Sequence, residues 1–408
     1  MSTGDRGPGA GRPVMGPWRF VVWFGTVSLL ADFVYEGARS VTGPLLASLG
    51  ASALVVGVVT GAGEAAALGL RLVSGPLADR TGRFWGLAIA GYALTVASVP
   101  LLGVVGVLWA ACALVIAERV GKAVRSPAKD TLLSHATAAT GRGRGFAVHE
   151  AMDQIGALVG PLLVAGMLAL TGGGYGPALG VLALPGVAVL VLLLWLRARV
   201  PDPEAYERGT AVGTTPRELP QGSPLPRAFW TYAGFTAATT TGFATFGLLS
   251  YHLVERHLMA AVWVPVLYAA AMTVDAVAAL VTGWLYDRFG PRVLVGLPVL
   301  TAGVALLAFT DTVAVAVAGS LVWGAAMGIQ ESTLRATVAD LVPPGRRATA
   351  YGLFAGVVGA ASLAGGALTG GLYGYSIPLL ITVVAAIQVV ALVLLGVTGA
   401  ARAPLRRP

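Results

Sequence analysis

Charged residues are scarce in this sequence. Only 11% of its 408 residues are Asp, Glu, Lys or Arg, whereas 56% are hydrophobic. Soluble domains carry roughly 25% charged residues, so the composition excludes an ordinary soluble fold of this length. It is typical of a protein that crosses a membrane many times.

Cysteine is almost absent as well. Cys112 is the single cysteine and lies in an apolar stretch, which excludes a disulfide within the chain and a cysteine-ligated metal site. The sequence contains no G-x-x-x-x-G-K-[ST] motif, which argues against an ATP-driven pump. The first 16 residues are polar and lack the apolar region of a signal peptide. We therefore expect no enzyme, no cofactor and no bound metal.

Twelve apolar stretches are long enough to cross a bilayer, which takes roughly 20 helical residues. They are predicted near residues 18–47, 52–74, 84–106, 107–128, 145–171, 176–196, 228–253, 262–284, 292–310, 313–336, 347–372 and 376–398. The predicted organisation is a tail at 1–17, a six-helix bundle at 18–196, a linker at 197–227 rich in Pro, Gly and charge, a second six-helix bundle at 228–398 and a tail at 399–408.

Basic residues are distributed unevenly among the segments that connect these spans. Nearly all lie in the segments on one side of the predicted membrane, and Arg256 stands alone on the other. Because short cytoplasmic segments are enriched in Lys and Arg, we expect a multi-pass protein of the plasma membrane with both termini in the cytoplasm. The net charge of +8 is explained in this way, and nucleic acid is not an expected partner.

One short charged motif occurs twice, at the same place in each half of the chain. Both copies share the pattern G-x-L-x-D-R-x-G, and an arginine follows at slightly different spacing. The residues concerned are Gly75, Asp79, Arg80, Gly82 and Arg83 in the first copy, and Gly283, Asp287, Arg288, Gly290 and Arg292 in the second. A motif repeated between corresponding spans indicates a duplicated membrane domain.

These two copies resemble the signature of the major facilitator superfamily between its second and third helices and its eighth and ninth. The resemblance implies an all-α membrane protein with twelve helices in two pseudo-symmetric bundles that rock about a central cavity. It also implies that spans three, six, nine and twelve face lipid, and their interiors carry no charged residue. By the same resemblance Asp79 caps a helix of the opposite half when the cytoplasmic side is closed.

Charged side chains inside the other spans are the candidate residues for binding substrate and protons. A charge within a bilayer costs several kcal/mol unless it faces protein or water, and transporter sites lie near the midplane. The candidates are Asp32, Glu36, Arg39, Glu64, Glu118, Arg119, Asp275, Glu331 and Arg335. The alternative is that these acids and bases only pair and hold helices together.

Within this set Asp32 is the first choice for the group that carries a proton. Asp32, Glu36 and Arg39 follow at i, i+4 and i+7, which places them on one helix face. Two acids one turn apart disfavour double ionisation, and Arg119 is the expected counter-charge. Glu331 and Arg335 are spaced for a second pair.

The fifth span carries Gly156, Gly160 and Pro161 in a G-x-x-x-G-P pattern. It resembles the core of a signature found in exporters of the same superfamily, and small residues at this spacing let helices approach closely. The sequence therefore predicts a monomeric secondary transporter, expected to couple protons to the export of a small organic solute or drug. Transport of a metal cation or other small ion, or a non-transporting receptor or lipid-handling scaffold, are the alternatives.

Overall fold

The computed structural model describes residues 15–208, 225–343 and 346–398, and every regular element within these ranges is a helix. This confirms the predicted all-α membrane fold. Most of the two predicted tails and of the linker, at 1–14, 209–224 and 399–408, lie outside the described residues.

The first half of the chain folds into six consecutive spans. They are α1 (Pro17–Ser48), α2 (Ala53–Gly69) continued by α3 (Arg71–Thr81), α4 (Phe84–Val104), α5 (Leu108–Thr140), α6 (Arg142–Leu170), and α7 (Tyr175–Gly180) continued by α8 (Ala183–Arg199). A short helix, α9 (Glu204–Arg208), follows. We call the helix ends near Pro17 and Gly82 the terminal face, and the other ends the opposite face.

The second half follows the same plan. It comprises α10 (Arg227–Thr241) and α11 (Phe246–Glu255), a 3-10 turn (Ala261–Trp263) leading into α12 (Val264–Phe289), a second 3-10 turn (Gly290–Val295) leading into α13 (Gly296–Ala308), then α14 (Val313–Leu341), α15 (Arg347–Tyr375) and α16 (Ile377–Val397). Joining helices that continue one another gives twelve spans in the described residues.

A count by length and apolarity alone gives nine candidate spans in the described part of the chain. One of the nine, Ala261–Ala308, contains two of our spans. The charged helix α5 is not among them, nor is the seventh span, because α10 and α11 have only 15 and 10 residues. The number twelve therefore depends on how broken helices are joined.

Two predicted boundaries are wrong by more than a few residues. The second span was predicted to end at residue 74, but its helix runs to Thr81, so most of the first motif is helical rather than a turn. The fourth was predicted to end at residue 128, but α5 runs to Thr140. The apolar pattern ends where the bilayer would end, whereas the helical hydrogen bonds continue beyond it.

Both motif copies end their helices at a glycine with positive φ, which glycine adopts without strain. Gly82 has φ 61° and ψ 8°, in the left-handed helical region, whereas Gly290 has φ 65° and ψ −153°. Asp79 and Asp287 are both exposed on the terminal face. The expected contact between Asp79 and the other half is absent from the described residues in this conformation.

The seventh span is interrupted between α10 and α11, at residues 242–245. The break leaves backbone groups without helical hydrogen bonds, and side chains supply partners for them, as irregular backbone within a membrane requires. The indole of Trp323 donates a 3.0 Å hydrogen bond to the carbonyl of Ala244, and the hydroxyl of Thr245 accepts from the amide of Leu248 at 3.4 Å. These two hydrogen bonds stabilise the break between α10 and α11.

The halves touch most closely toward the opposite face. Gly57 on α2 and Gly366 on α15 face each other so closely that a side chain on either would overlap the backbone of the other. Thr60 and Thr245 share a 2.9 Å hydrogen bond across the same interface. A cavity remains between the halves nearer the middle of the bundle.

Candidate functional site

A cavity lies between the two halves, with an empty volume of about 620 Å³ counting the space open to solvent. Five helices contribute to it: α1, α5, α6, α12 and α14. Its lining residues are Asp32, Glu36, Arg39, Lys122, Glu150, Asp153, Gln154, Ala157, Met272, Asp275, Met327 and Glu331. Five of the nine predicted site residues therefore line it.

The lining is strongly acidic. It includes six carboxylates, Asp32, Glu36, Glu150, Asp153, Asp275 and Glu331, against two basic side chains, Arg39 and Lys122. In a confined volume with low-dielectric walls, an excess of one charge attracts ions of the other sign. The cavity is therefore suited to protons and to positively charged groups.

Arg39 connects the cavity to the interior of the first half. Its guanidinium lies 3.8 Å from Glu36, one turn earlier on α1, and 3.3 Å from Glu64 on α2. Arg119 on α5 extends the chain of charges, at 3.1 Å from Glu64 and 3.2 Å from Glu118. The predicted residues Glu118 and Arg119, which are buried, and Glu64, which is half-buried, thus form a network behind the cavity wall.

Asp32 has a different counter-charge from the one the sequence suggested. Its carboxylate lies 4.0 Å from the guanidinium of Arg125, whereas Arg119 pairs with Glu64 and Glu118. Arg119 and Arg125 are separated by six residues, which is about 9 Å along a helix. Arg125 is the residue at the level of Asp32, so the predicted pairing with Arg119 is wrong.

Two basic side chains of α5, Lys122 and Arg125, also pack against aromatic rings. The guanidinium of Arg125 lies 4.4 Å from the centre of the Tyr92 ring, and the ammonium of Lys122 lies 3.8 Å from that of Tyr35. A cation over a ring face is stabilised by about 0.5–2 kcal/mol. Lys122 and the two tyrosines were missing from the predicted site.

The G-x-x-x-G-P segment of α6 packs directly on α1. A side chain at Gly156 would meet the Cβ of Asp32 at 2.9 Å and overlap the backbone of Leu29, and one at Gly160 would meet the backbone of Phe33. The glycines therefore fix the distance between α6 and the helix that carries Asp32. The two glycines therefore act in helix packing beside the cavity.

A second polar cluster lies on the first-half side of the cavity. The ammonium of Lys129 lies 3.6 Å from Asp153 and 3.0 Å from Nε2 of His149, and the hydroxyl of Ser28 lies 3.2 Å from the same ring nitrogen. Lys129 lies just beyond the predicted end of the fourth span at residue 128, but α5 continues through it, and its side chain is only 18% exposed. The cluster joins α1, α5 and α6.

Tyr268 on α12 links the two halves. Its hydroxyl donates a 2.5 Å hydrogen bond to Oε2 of Glu36. The sequence analysis missed Tyr268, although Tyr268, Met272 and Asp275 follow at i, i+4 and i+7 and so share one helix face. That spacing, anchored on the intramembrane Asp275, was the available signal.

The second half contributes two acids to the cavity. Asp275 is buried, with 3% of its surface exposed, and its Oδ1 has no hydrogen-bond partner. Glu331 is exposed to the cavity. The predicted pair between Glu331 and Arg335 does not form among the described residues, because Arg335 is exposed outside the cavity lining.

Comparison with known proteins agrees with this architecture. The family model described as Major Facilitator Superfamily matches residues 24–366 and 260–407. The chain belongs to the Major Facilitator Superfamily. The resemblance found in the two motif copies is thereby confirmed, and the protein is a multi-pass membrane transporter of this superfamily.

Two relatives of the chain match it over most of its length, and one of them is described as an MFS-type transporter. A protein of Mycobacterium tuberculosis (strain H37Rv) described as uncharacterized is 65% identical over 387 residues, covering 95% of this chain and 94% of that one. An MFS-type transporter of Methanocaldococcus jannaschii, likewise described as uncharacterized, is 25% identical over 363 residues, with 87% and 89% covered.

Among solved structures, the nucleoside transporter NupG superimposes with a TM-score of 0.72 in a mutant form. It is 13% identical in sequence, and the match covers 93% of this chain and 99% of NupG. At this identity the likeness shows the superfamily fold alone.

Proposed function

We propose that this superfamily transporter couples protons to the export of a small organic solute across the plasma membrane, with both termini in the cytoplasm. Alternating access about the central cavity is the proposed mechanism. The hydrogen bond from Tyr268 to Glu36 is the observation on which proton coupling rests.

That bond joins a titratable group to the contact between the halves. Glu36 lines the cavity, pairs with Arg39 and accepts from the other half of the chain. When the halves separate on the opposite face, Glu36 loses its donor while it still faces the cavity. A carboxylate whose hydrogen-bond partner changes between two states binds a proton with different affinity in each, and this difference couples the proton to the conformational change.

An organic solute fits the remaining lining. Ala157, Met272 and Met327 contribute apolar surface among the charges, and methionine adapts to irregular shapes. Hard cations such as Mg²⁺, Ca²⁺ and Mn²⁺ are bound by oxygen ligands and gain little from such side chains. The lining therefore favours an organic solute over the metal cation considered as the alternative.

Two features support the orientation and direction. Basic residues concentrate in the segments on the terminal face, which supports a cytoplasmic location for that face. The packing of Gly156 and Gly160 on α1 is the structural counterpart of the exporter-like motif. The first feature supports the orientation of the protein, and the second supports export.

The decisive experiment is a proton-flux assay in proteoliposomes that contain a pH-sensitive dye. Addition of a transported solute should change the internal pH, and Glu36→Gln should abolish the change while Asp311→Asn, at an exposed acid, should not. Solute transport that leaves the internal pH constant would refute proton coupling. A single fixed distance between the halves on the terminal face, under every condition, would refute alternating access and favour a receptor or scaffold.

A further inference from the structure

We infer that Asp275 and Glu331 bind the charged group of an organic cation, so that the substrate of this transporter carries a positive charge on an apolar body. The inference rests on the proposed transport function and names its substrate class. It assigns the site to the second half of the chain, opposite the ion pairs of the first.

Asp275 is a carboxylate without a counter-charge. It lies on α12, is 3% exposed, lines the cavity, and has one oxygen without a hydrogen-bond partner. A buried charge that is neither paired nor fully hydrogen-bonded is costly. Ionisable residues within membrane spans mark the pathways of substrates and ions, and a cationic ligand would complete this one.

Close helix packing brings Glu331 to the same place. A side chain at Gly328 on α14 would overlap the backbone carbonyl of Asp275, so the two helices touch at this level. Glu331 follows Gly328 by three residues, which is less than one turn. Both carboxylates line the same cavity.

The first half differs in this respect. Three of its four cavity acids, Asp32, Glu36 and Asp153, each have a basic partner within 4.0 Å, and the fourth, Glu150, is exposed rather than buried as Asp275 is. In the part of the chain that the structure describes, neither Asp275 nor Glu331 forms such a pair. A bound cation would supply the missing positive charge, and its affinity would come from relieving the repulsion between the two acids.

Methionines stand beside both acids. Met272 precedes Asp275 by three residues and Met327 precedes Glu331 by four, so each thioether lies on the same helix face as its acid, and both line the cavity. Flexible, polarisable side chains of this kind accommodate apolar groups of varied shape. The combination suits an amine, phosphonium or quaternary ammonium compound with an apolar body.

The test is equilibrium binding to the purified protein in detergent, with no pH gradient. Tetraphenylphosphonium, ethidium and tetramethylammonium are the cationic probes, and tetraphenylborate is an anion of nearly the same shape as the first. We expect at least one cation to bind, with Asp275→Asn and Glu331→Gln each weakening it at least about tenfold, which is the loss of one charge-assisted contact. Asp311→Asn, at an acid whose side chain is 75% exposed, should leave the affinity unchanged.

Several outcomes would overturn the inference. They are binding of none of the three cations, equal binding of tetraphenylborate, unchanged cation affinity in both acid variants, or binding of Mn²⁺ with the same dependence on Asp275. The binding assay contains no pH gradient and so does not depend on proton coupling. If cations bind in this assay but no proton flux is seen in the proteoliposomes, only the proposed coupling is contradicted.

Thermal stability gives a second readout that a merely structural role of Asp275 would not produce. Asp275→Asn should raise the Tm of the ligand-free protein, since it removes a buried carboxyl group that has one oxygen without a hydrogen-bond partner. Asp32→Asn should lower it, since it leaves Arg125 without its partner. A fall in Tm for Asp275→Asn would show that the carboxylate already has a stabilising role without a ligand.

Discussion

Tyr268 in the second half of the chain donates a 2.5 Å hydrogen bond to Glu36 in the first. The bond crosses the cavity wall at the point where Glu36 also pairs with Arg39 at 3.8 Å. It therefore connects the contact between the halves to the buried charges of α1, α2 and α5.

Removing this bond should loosen the conformation that is closed on the opposite face. A hydrogen bond to a charged group contributes about 1.5–3 kcal/mol, so Tyr268→Phe should shift the population of the two states by tenfold or more, at roughly 1.4 kcal/mol per tenfold. Distances between spin labels on the opposite face, one in each half, would measure the shift.

The matched control is Tyr373→Phe. It removes a hydroxyl that bonds to His252 at 2.9 Å within the second half, so it changes the same chemistry without crossing the interface. If both variants gave the same distribution of distances, the bond to Glu36 would have no special part in closing the protein.

The glycine contact between α2 and α15 should be intolerant of any side chain. In Gly57→Ala the new methyl group would overlap the backbone of Gly366, and such overpacking costs about 1–3 kcal/mol. We expect a lower Tm and wider distances between the halves on the opposite face. Gly69→Ala is the control, since nothing lies within 4 Å of a side chain there; equal effects of the two substitutions would contradict the close contact.

Arg119 should be the most important cation for stability in the buried network. It pairs with Glu64 at 3.1 Å and Glu118 at 3.2 Å, and removing one partner of a buried pair costs about 3–5 kcal/mol. Arg119→Gln should lower the Tm strongly. Arg256→Gln breaks the exposed pair with Asp311, which is worth only about 0–1 kcal/mol. A comparable loss in both variants would mean that burial of the network is unimportant.

The sequence predicted the fold, the motif copies and most of the charged cavity residues, because each of these follows from apolar length or from a charge inside a span. It did not predict which charges meet. Whether Asp32 pairs with Arg119 or with Arg125 depends on how far α5 is displaced along α1, and a single sequence carries no information on that offset. Tyr268 was missed for a different reason, since an uncharged residue is ordinary in a membrane helix.

Asp79 should stabilise the state that is closed on the terminal face. It is exposed on the terminal face, so Asp79→Asn should leave the Tm and ligand affinity unchanged. In the state closed on that face we expect it at a helix amino terminus, where a carboxylate contributes about 0.3–1 kcal/mol. The substitution should therefore reduce transport and shift the population toward the present conformation by about two- to fivefold, as spin-label distances on the terminal face would show.

The control for this gate is the second motif copy. Asp287→Asn should have a smaller effect, because Pro291 alters the turn that follows and a 3-10 segment replaces the start of the next helix. Transport at wild-type rate in Asp79→Asn would rule out the capping role.

The charges around Asp32 come from three helices. Arg125 and Lys122 on α5 attract its carboxylate, whereas Asp153 on α6 and Glu36 on α1 repel it. Because attraction and repulsion oppose each other at one carboxylate, a small displacement of α5 or α6 changes its affinity for a proton. Neighbouring acids share such a proton, so the measured titration belongs to the group rather than to one residue.

Asp32→Asn should therefore abolish pH-driven movement of substrate while leaving substrate binding within about threefold of wild type, a change of less than 1 kcal/mol. The affinity should also lose most of its pH dependence, because the amide cannot take up a proton in this range. Glu64→Gln is the matched comparison, since Glu64 is an acid of the same network but is held by both Arg39 and Arg119. Binding measured across a pH series in detergent, and transport measured with an imposed gradient, separate the two effects. Retention of the wild-type pH dependence in Asp32→Asn, with its loss in Glu64→Gln, would place the proton on α2 instead of α1.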